Sequence, residues 1–172
     1  MRGDCQPTRA GGYTMPELIV VIAVVAIAAA LAAPMLGQTA GTRLASAARM
    51  LAADIDQTRI ATLTRADRPT VLVFADDGSG YHLARAETPD TPIDHPIDPG
   101  PYVITFGHGR AASLAGVTIH SLDFDDAPTL AFGRFGHLPQ PEPATITLAD
   151  DGRTLTLTIH PTSGEVAIGE LE

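Results

Sequence analysis

One carboxylate stands out in this sequence because of its position. Glu17 comes directly before an apolar run, residues 18–36, that contains no charged and no strongly polar side chain. A carboxylate beside so much apolar surface is unfavourable unless it is paired with a cation. A Gly11-Gly12 pair precedes the aromatic residue Tyr13, where a short polar leader ends. The chemistry predicted at Glu17 is charge pairing; the plainer alternative is a carboxylate stabilised by a helix dipole.

The other polar residues form no catalytic or metal-binding pattern. None of the six histidines is spaced from another as metal ligands are, and no H-E-x-x-H motif occurs. Asp76-Asp77 and Asp150-Asp151 precede glycines, and turn chemistry accounts for both pairs. A calcium site would need more converging oxygen ligands than the aspartates of the Pro-rich segment supply. The sequence therefore predicts no enzyme, no metal and no cofactor.

Composition further limits the classes of protein to which this chain can belong. The 172 residues suffice for one domain and a helical stalk. The net charge is −9, and it would be −10 without residues 1–12, which disfavours a general nucleic-acid surface. The only cysteine, Cys5, lies in that leader, so the rest of the chain can form no disulfide. Arg2 and Arg9 before the apolar run place the N-terminus in the cytoplasm and the remainder in the periplasm.

Residues 14–66 have the pattern of one long helix. Thr14 and Glu17 have the spacing of a capping box at its start. At about 1.5 Å per residue, residues 18–36 cross most of a hydrocarbon core of roughly 30 Å. Pro34 is expected to kink or loosen the helix. Beyond it the pattern becomes amphipathic and needs a sheet to cover its apolar stripe, which consists of Leu44, Ala48, Leu51, Ile55, Thr58 and Thr62.

The remainder of the chain predicts an antiparallel sheet. Segments 145–148 and 154–159 alternate strictly between apolar and polar residues, so one face is buried and the other solvated. Residues 87–101 contain five prolines, cannot hold a regular ladder and are expected to form an exposed loop. A long N-terminal helix packed on such a sheet is an α+β fold. The predicted strands are residues 70–75, 81–86, 102–106, 117–124, 129–132, 144–148, 154–160 and 165–168.

Gly12, Tyr13 and Glu17, followed by the apolar helix, resemble the class III signal of type IV pilins and pseudopilins. The resemblance implies that prepilin peptidase cuts after Gly12 and that the new first residue, Tyr13, is N-methylated. Counted from Tyr13, Glu17 is fifth and Pro34 twenty-second, as in that family, although the family usually begins with Phe. It further implies that Glu17 pairs with the free amine of a neighbour's Tyr13 in a packed filament. The implied divisions are a leader at 1–12, a transmembrane assembly helix at 13–40 and a periplasmic α+β head at 41–172.

The second half resembles the heads of H-type minor pseudopilins (GspH) and FimT-like minor pilins. Those heads are all-strand and contain a Phe-x-x-x-Gly element before the last hairpin, where this chain has Phe132-Gly133-Arg134-Phe135-Gly136. The resemblance implies a structural minor pseudopilin of a type II secretion system that enters a periplasmic pseudopilus by its N-terminal helix. Such a protein is a single-pass inner-membrane protein. Its implied partners are prepilin peptidase, other pseudopilins and inner-membrane lipid.

Two other functions stay open on the sequence. A FimT-like minor pilin of a type IV pilus, active in DNA uptake, would carry a basic C-terminal patch. The tail after residue 132 has only Arg134 and Arg153 against six acidic residues, so nucleic acid is not expected as a partner. A β-rich ligand-binding protein, secreted or anchored by an ordinary signal sequence, would be cleaved near Ala30-Leu31-Ala32. Glu17 between the basic leader and the apolar core counts against that alternative.

Overall fold

Two helices open the described part of the chain. The computed structural model describes residues 14–36 and 38–172. Helix α1 is Met15–Leu36 and helix α2 is Gln38–Thr64, so the helix predicted over residues 14–66 is confirmed within these ranges. Its continuity through Gly37, like the predictions for the leader, Gly12 and Tyr13, lies outside the described residues. The chain divides into two units, Met1–Gln38 and Thr39–Glu172.

Helix α1 is apolar on every side over the turns whose side chains are described. Its large aliphatic residues between Leu18 and Ile27 are each 51–63% exposed, and Glu17 is the one charged residue of the helix. A helix that is apolar all round needs an apolar environment outside its own fold. Within the part of the chain that the structure describes, no helix is both long enough and apolar enough to cross a membrane.

Helix α2 is amphipathic, as its sequence pattern predicts. Leu44, Leu51 and Ile55 are fully buried, and so are Ala47 and Ala48. Thr58 and Thr62 continue the stripe and are buried as well, with their hydroxyls bonded to the backbone oxygens of Asp54 and Thr70. This stripe forms a single apolar core with the strands, which confirms the predicted helix-on-sheet packing.

The strands form two antiparallel sheets where the sequence analysis predicts one. The first sheet has the order β3-β2-β1-β6, with β4 on the same edge of β2 as β3; the second has the order β5-β7-β8-β9. All eight predicted strands are present, with ends that differ by a few residues. A 3₁₀ helix at Gly109–Leu114 was not predicted. The strands are β1 Thr70–Phe74, β2 Gly80–Arg85, β3 Thr88–Pro92, β4 Val103–Thr105, β5 Thr118–Asp123, β6 Thr129–Ala131, β7 Ala144–Asp150, β8 Arg153–Ile159 and β9 Val166–Leu171.

The prediction that residues 87–101 form only an exposed loop is wrong in part. Strand β3 lies within them and pairs antiparallel with β2 through Thr88 and Pro92, across a register shift between Ala84 and Arg85. Prolines are tolerated here because β3 is an edge strand, whose outer side has no partner that needs an N–H donor. Beyond β3, Ile93 continues the contact by donating its amide to the Leu83 oxygen at 2.8 Å.

Candidate assembly site

Glu17 lies in the first turn of α1 and points back to the residue before the helix. The Thr14 amide donates to Glu17 Oε2 at 3.4 Å, and the Leu18 amide donates to the Thr14 oxygen at 3.1 Å. This is the carboxylate half of the predicted capping box. At 3.4 Å the contact to Glu17 is long for an N–H···O bond. Glu17 is exposed, so its carboxylate is accessible to a cation from another molecule.

The other two residues of the predicted assembly site are not placed. Gly12 and Tyr13 lie outside the described residues, and their roles as the two sides of a cleavage site stay predictions. What the structure shows of the site is one accessible carboxylate at the start of an apolar helix. That arrangement can pair with a cation, but Glu17 has no nucleophile, base or second carboxylate beside it in the described part of α1.

A second carboxylate, which the sequence analysis missed, is buried in the head. Asp54 of α2 accepts hydrogen bonds from the Tyr81 hydroxyl and the Tyr102 hydroxyl, each at 2.7 Å. Tyr81 is in β2 and Tyr102 directly precedes β4, so one side chain of the helix fixes two neighbouring strands of the first sheet. The signal was present in the sequence, because Asp54 lies between Leu51 and Ile55 on the buried stripe, where an acid needs partners.

The environment of these two tyrosines keeps both hydroxyls protonated. Burial raises the pKa of Tyr81 well above its usual range, and the neighbouring Asp54 carboxylate raises it further. Burial and the hydrogen bond to Asp54 raise the pKa of Tyr102 to about 12. Neutral hydroxyls that donate to a carboxylate hold structure together and supply no nucleophile. The Asp54 cluster therefore joins α2 to two strands of the first sheet through hydrogen bonds.

The structure also corrects the prediction that Asp150 is a turn residue. In the β7–β8 hairpin Asp150 pairs with Arg153, so the turn itself is Asp151-Gly152, with positive φ at both residues. Asp150 is buried and accepts two hydrogen bonds from Arg43, at 2.7 and 3.1 Å. This bidentate pair joins the start of α2 to the second sheet. Turn chemistry does account for Asp77, whose pKa is lowered by hydrogen bonds from Ser79.

The Phe-x-x-x-Gly element forms a loop that leans on α2. Phe132 is buried, whereas Phe135 is 76% exposed with the Arg134 guanidinium 5.5 Å from its ring centre. Gly136 has φ +77°, and its oxygen accepts a hydrogen bond from Arg59 Nε at 3.2 Å. A Cβ at Gly136 would lie 3.0 Å from that same Arg59 atom. The positive φ, together with the close approach of Arg59, therefore explains the glycine of the element.

No metal centre emerges from these residues. In the described ranges 14–36 and 38–172, no group of three or more His, Cys, Asp or Glu side chains could hold a metal ion. One histidine, His95, shapes the segment between β3 and β4, because its Nδ1 accepts the amides of Ile97 and Asp98 at 3.2 and 2.8 Å.

The architecture is a type IV pilin-like fold, with an N-terminal helical part and a head in which a helix packs on antiparallel sheets. Two crystal structures of the type IV minor pilin FimU of Pseudomonas aeruginosa (strain PAO1), in space groups P65 and P21, are similar to this chain, both with a TM-score of 0.52. The first is 18% identical and the match covers 74% of this chain and 93% of that one; the second is 19% identical and covers 75% and 90%. No family model and no curated protein matches the chain. The predicted pilin-like fold is confirmed, while the narrower GspH/FimT group stays a prediction.

Proposed function

We propose that this chain is a structural minor subunit of a type IV pilin-like filament, with no enzymatic activity of its own. In this proposal residues 13–40 anchor it in the inner membrane, and the head at 41–172 lies in the periplasm. The observation that supports the proposal best is the combination of a pilin-like fold with an apolar N-terminal helix whose first turn carries a single carboxylate, Glu17.

The surface of α1 supports this role. Its aliphatic side chains are exposed on all sides over the described turns, and such a surface is unfavourable in water. Membrane lipid covers it before assembly, and the helices of neighbouring subunits cover it in the filament. Helices packed in an apolar layer gain most from close contact and from polar groups that find partners across the interface.

Glu17 supplies the polar partner in this proposal. Prepilin peptidase cuts after Gly12, Tyr13 is N-methylated, and the new amine of one subunit pairs with Glu17 of the next. An unpaired amine in an apolar layer costs on the order of several kcal/mol. The pair therefore sets the axial register between neighbouring helices, and the long contact from Thr14 is easily replaced by it.

The proposal is tested first by the N-terminus of the membrane-extracted protein. Mass spectrometry is expected to find methylated Tyr13 as the first residue. A first residue at Met1, or one just after Ala32, would contradict the pilin-like role and favour an ordinary signal or anchor.

Assembly is tested by cross-linking to neighbouring subunits. Glu17→Leu and Glu17→Gln are expected to be cleaved and membrane-resident, because the peptidase reads mainly Gly12, yet they should no longer cross-link. Glu165→Gln, which changes an exposed carboxylate of the head, is the matched control and should cross-link normally. Normal cross-linking of both Glu17 variants would show that Glu17 is only a carboxylate stabilised at the start of the helix and has no role in assembly.

The machine that the filament serves is a separate part of the proposal. The resemblance to H-type minor pseudopilins favours the pseudopilus of a type II secretion system. The likeness to FimU favours a type IV pilus instead, as the second candidate. Deleting the gene in its host distinguishes them, because loss of an extracellular enzyme from the medium indicates secretion, whereas loss of surface pili with intact secretion indicates the pilus. The acidic tail continues to disfavour DNA uptake.

A further inference from the structure

A groove of about 360 Å³ runs along α2 in the head. One wall is a single face of α2 that includes Gln57, Ile60 and Thr64. The other wall is formed by β2 and the segment after β3, and includes Leu83 and Ile93. The volume is within the range of ligand-binding sites in proteins. The groove is thus large enough for two or three side chains of a ligand.

Two arginines line this groove and have no acidic partner. Neither Arg65 nor Arg85 forms an ion pair with an acidic side chain among the residues that the structure describes. Arg85 is held in place, because its Nη1 donates to the Arg68 oxygen at 3.2 Å and to Thr70 Oγ1 at 2.9 Å. The chain has 20 acidic residues and only 11 basic ones. Two unpaired arginines in one groove of so acidic a protein indicate a site for an anion.

The remaining lining limits the kind of anion. Asp94 also lines the groove, so a ligand with many negative charges, such as a nucleic acid, would be repelled there. Leu83 is buried in the core, so the apolar surface open to a ligand comes from Ile60 and the half-buried Ile93. Among the lining residues Ile60 is 54% exposed. A ligand with aliphatic side chains of its own would cover this exposed side chain.

We propose that this groove binds an extended segment of a partner protein in which a carboxylate lies beside branched aliphatic side chains. The carboxylate is held by Arg65 and Arg85, and the aliphatic side chains pack on Ile60 and Ile93. The inference does not rest on the filament role, because the groove is formed by the head and its test uses a soluble peptide.

The test uses the full chain in detergent with ¹³C-labelled isoleucine methyl groups, observed by NMR. The probe is the peptide acetyl-Ala-Leu-Glu-Leu-Ala-amide, and its Gln counterpart is the control peptide. We expect saturable shifts at Ile60 and Ile93, with none at Ile19 or Ile22 of α1. The Gln peptide should bind about tenfold more weakly, because it loses one charge-assisted hydrogen bond.

The arginines are tested with matched variants. Arg65→Gln is expected to weaken binding of the Glu peptide about tenfold and to keep the fold, because Arg65 is exposed. Arg85→Lys is the second variant and should weaken binding through loss of the planar guanidinium. Arg49→Gln changes an exposed arginine of α2 that does not line the groove and should bind as the unchanged protein does.

Four results would overturn the proposal. The first is the absence of a saturable shift up to millimolar peptide, and the second is equal binding of the Glu and Gln peptides. The third is equal binding of the Glu peptide by Arg65→Gln and by the unchanged protein. The fourth is binding of inorganic phosphate or 4-methylpentanoate that is as tight as binding of the peptide. The last result would assign the groove to small anions instead of a protein segment.

Discussion

Asp54 is a buried carboxylate of the head that depends on its hydrogen-bond partners. It is buried, and both of its oxygens accept hydrogen bonds, one from Tyr81 and one from Tyr102. The Arg110 guanidinium lies 5.4 Å from the Tyr102 ring centre. A polar cluster of this kind is favourable only while every member is paired, because an unpaired hydroxyl or carboxylate keeps its full desolvation penalty.

Asp54→Ala is therefore expected to destabilise the head by about 3 kcal/mol, because two buried hydroxyls lose their acceptor at once. The triple variant Asp54→Leu, Tyr81→Phe, Tyr102→Phe should recover most of that loss, since no polar group is then left unpaired. Asp56→Ala, an exposed acid of the same helix, is the control. Chemical denaturation followed by circular dichroism measures all three, and an unfolding midpoint for Asp54→Ala equal to that of the control would contradict the prediction.

The two tyrosines also predict how stability depends on pH. Their pKa values are raised from the usual value of 10.0, that of Tyr102 to about 12. The folded protein thus keeps protons that the unfolded chain loses, so the tyrosines leave stability unchanged below pH 10 and reduce it as the pH rises from 10 towards 12. Absorbance titration of tyrosinate, with Tyr81→Phe and Tyr102→Phe as difference standards, checks this. Ionisation of either residue near pH 10 in a protein that stays folded would refute it.

At the residue level, the sequence predicted those contacts that form between residues close together in the chain. The Thr14–Glu17 contact follows from a capping-box interval, and Asp77 follows from turn chemistry. The helical pattern of α2 marks Asp54 as a buried position, but its partners could not be predicted because the two tyrosines are 27 and 48 residues away in the chain. Asp150 was interpreted as a turn residue because its partner, Arg43, is 107 residues away. No pattern within a window of ten or twenty residues identifies such distant partners.

At the level of elements, the periodicity of α2 and the strands was informative because one face of each is buried. The strict alternation in β7 and β8 corresponds to a burial pattern in which every second residue is buried. Strand β3 was not predicted because its pairing depends on lying at an edge, which is a property of the sheet and not of the segment. Its prolines exclude a central strand but permit an edge strand.

The packing of α2 on the sheets is tested by a pair of leucines on the same helix. Leu51 is fully buried, whereas Leu63 is 44% exposed. Leu51→Ala is expected to cost about 3 kcal/mol through lost burial and the cavity left behind. Leu63→Ala should change stability by less than about 0.5 kcal/mol. Equal effects in chemical denaturation would mean that the stripe of α2 is not the inner face of the core.

For the whole molecule, the sequence could predict an α+β fold but not the division of its strands into two sheets. Strand count and alternation are the same for one sheet of eight strands and for two smaller ones. What separates them is pairing between segments far apart, such as β1 with β6 and β5 with β7. Both sheets then share one core with α2, which includes Leu44, Leu72 and Leu157.

This shared core predicts the behaviour of fragments. A fragment that begins at Gly41 keeps the buried stripe of α2 and omits α1, so it should be a soluble, folded monomer. It lies within the unit Thr39–Glu172. A fragment that begins at Thr70 lacks α2 and would expose the apolar residues that α2 covers, so it should aggregate. Size-exclusion chromatography and circular dichroism compare the two. An insoluble fragment from Gly41 together with a soluble, folded one from Thr70 would show that the sheets form their core without the helix.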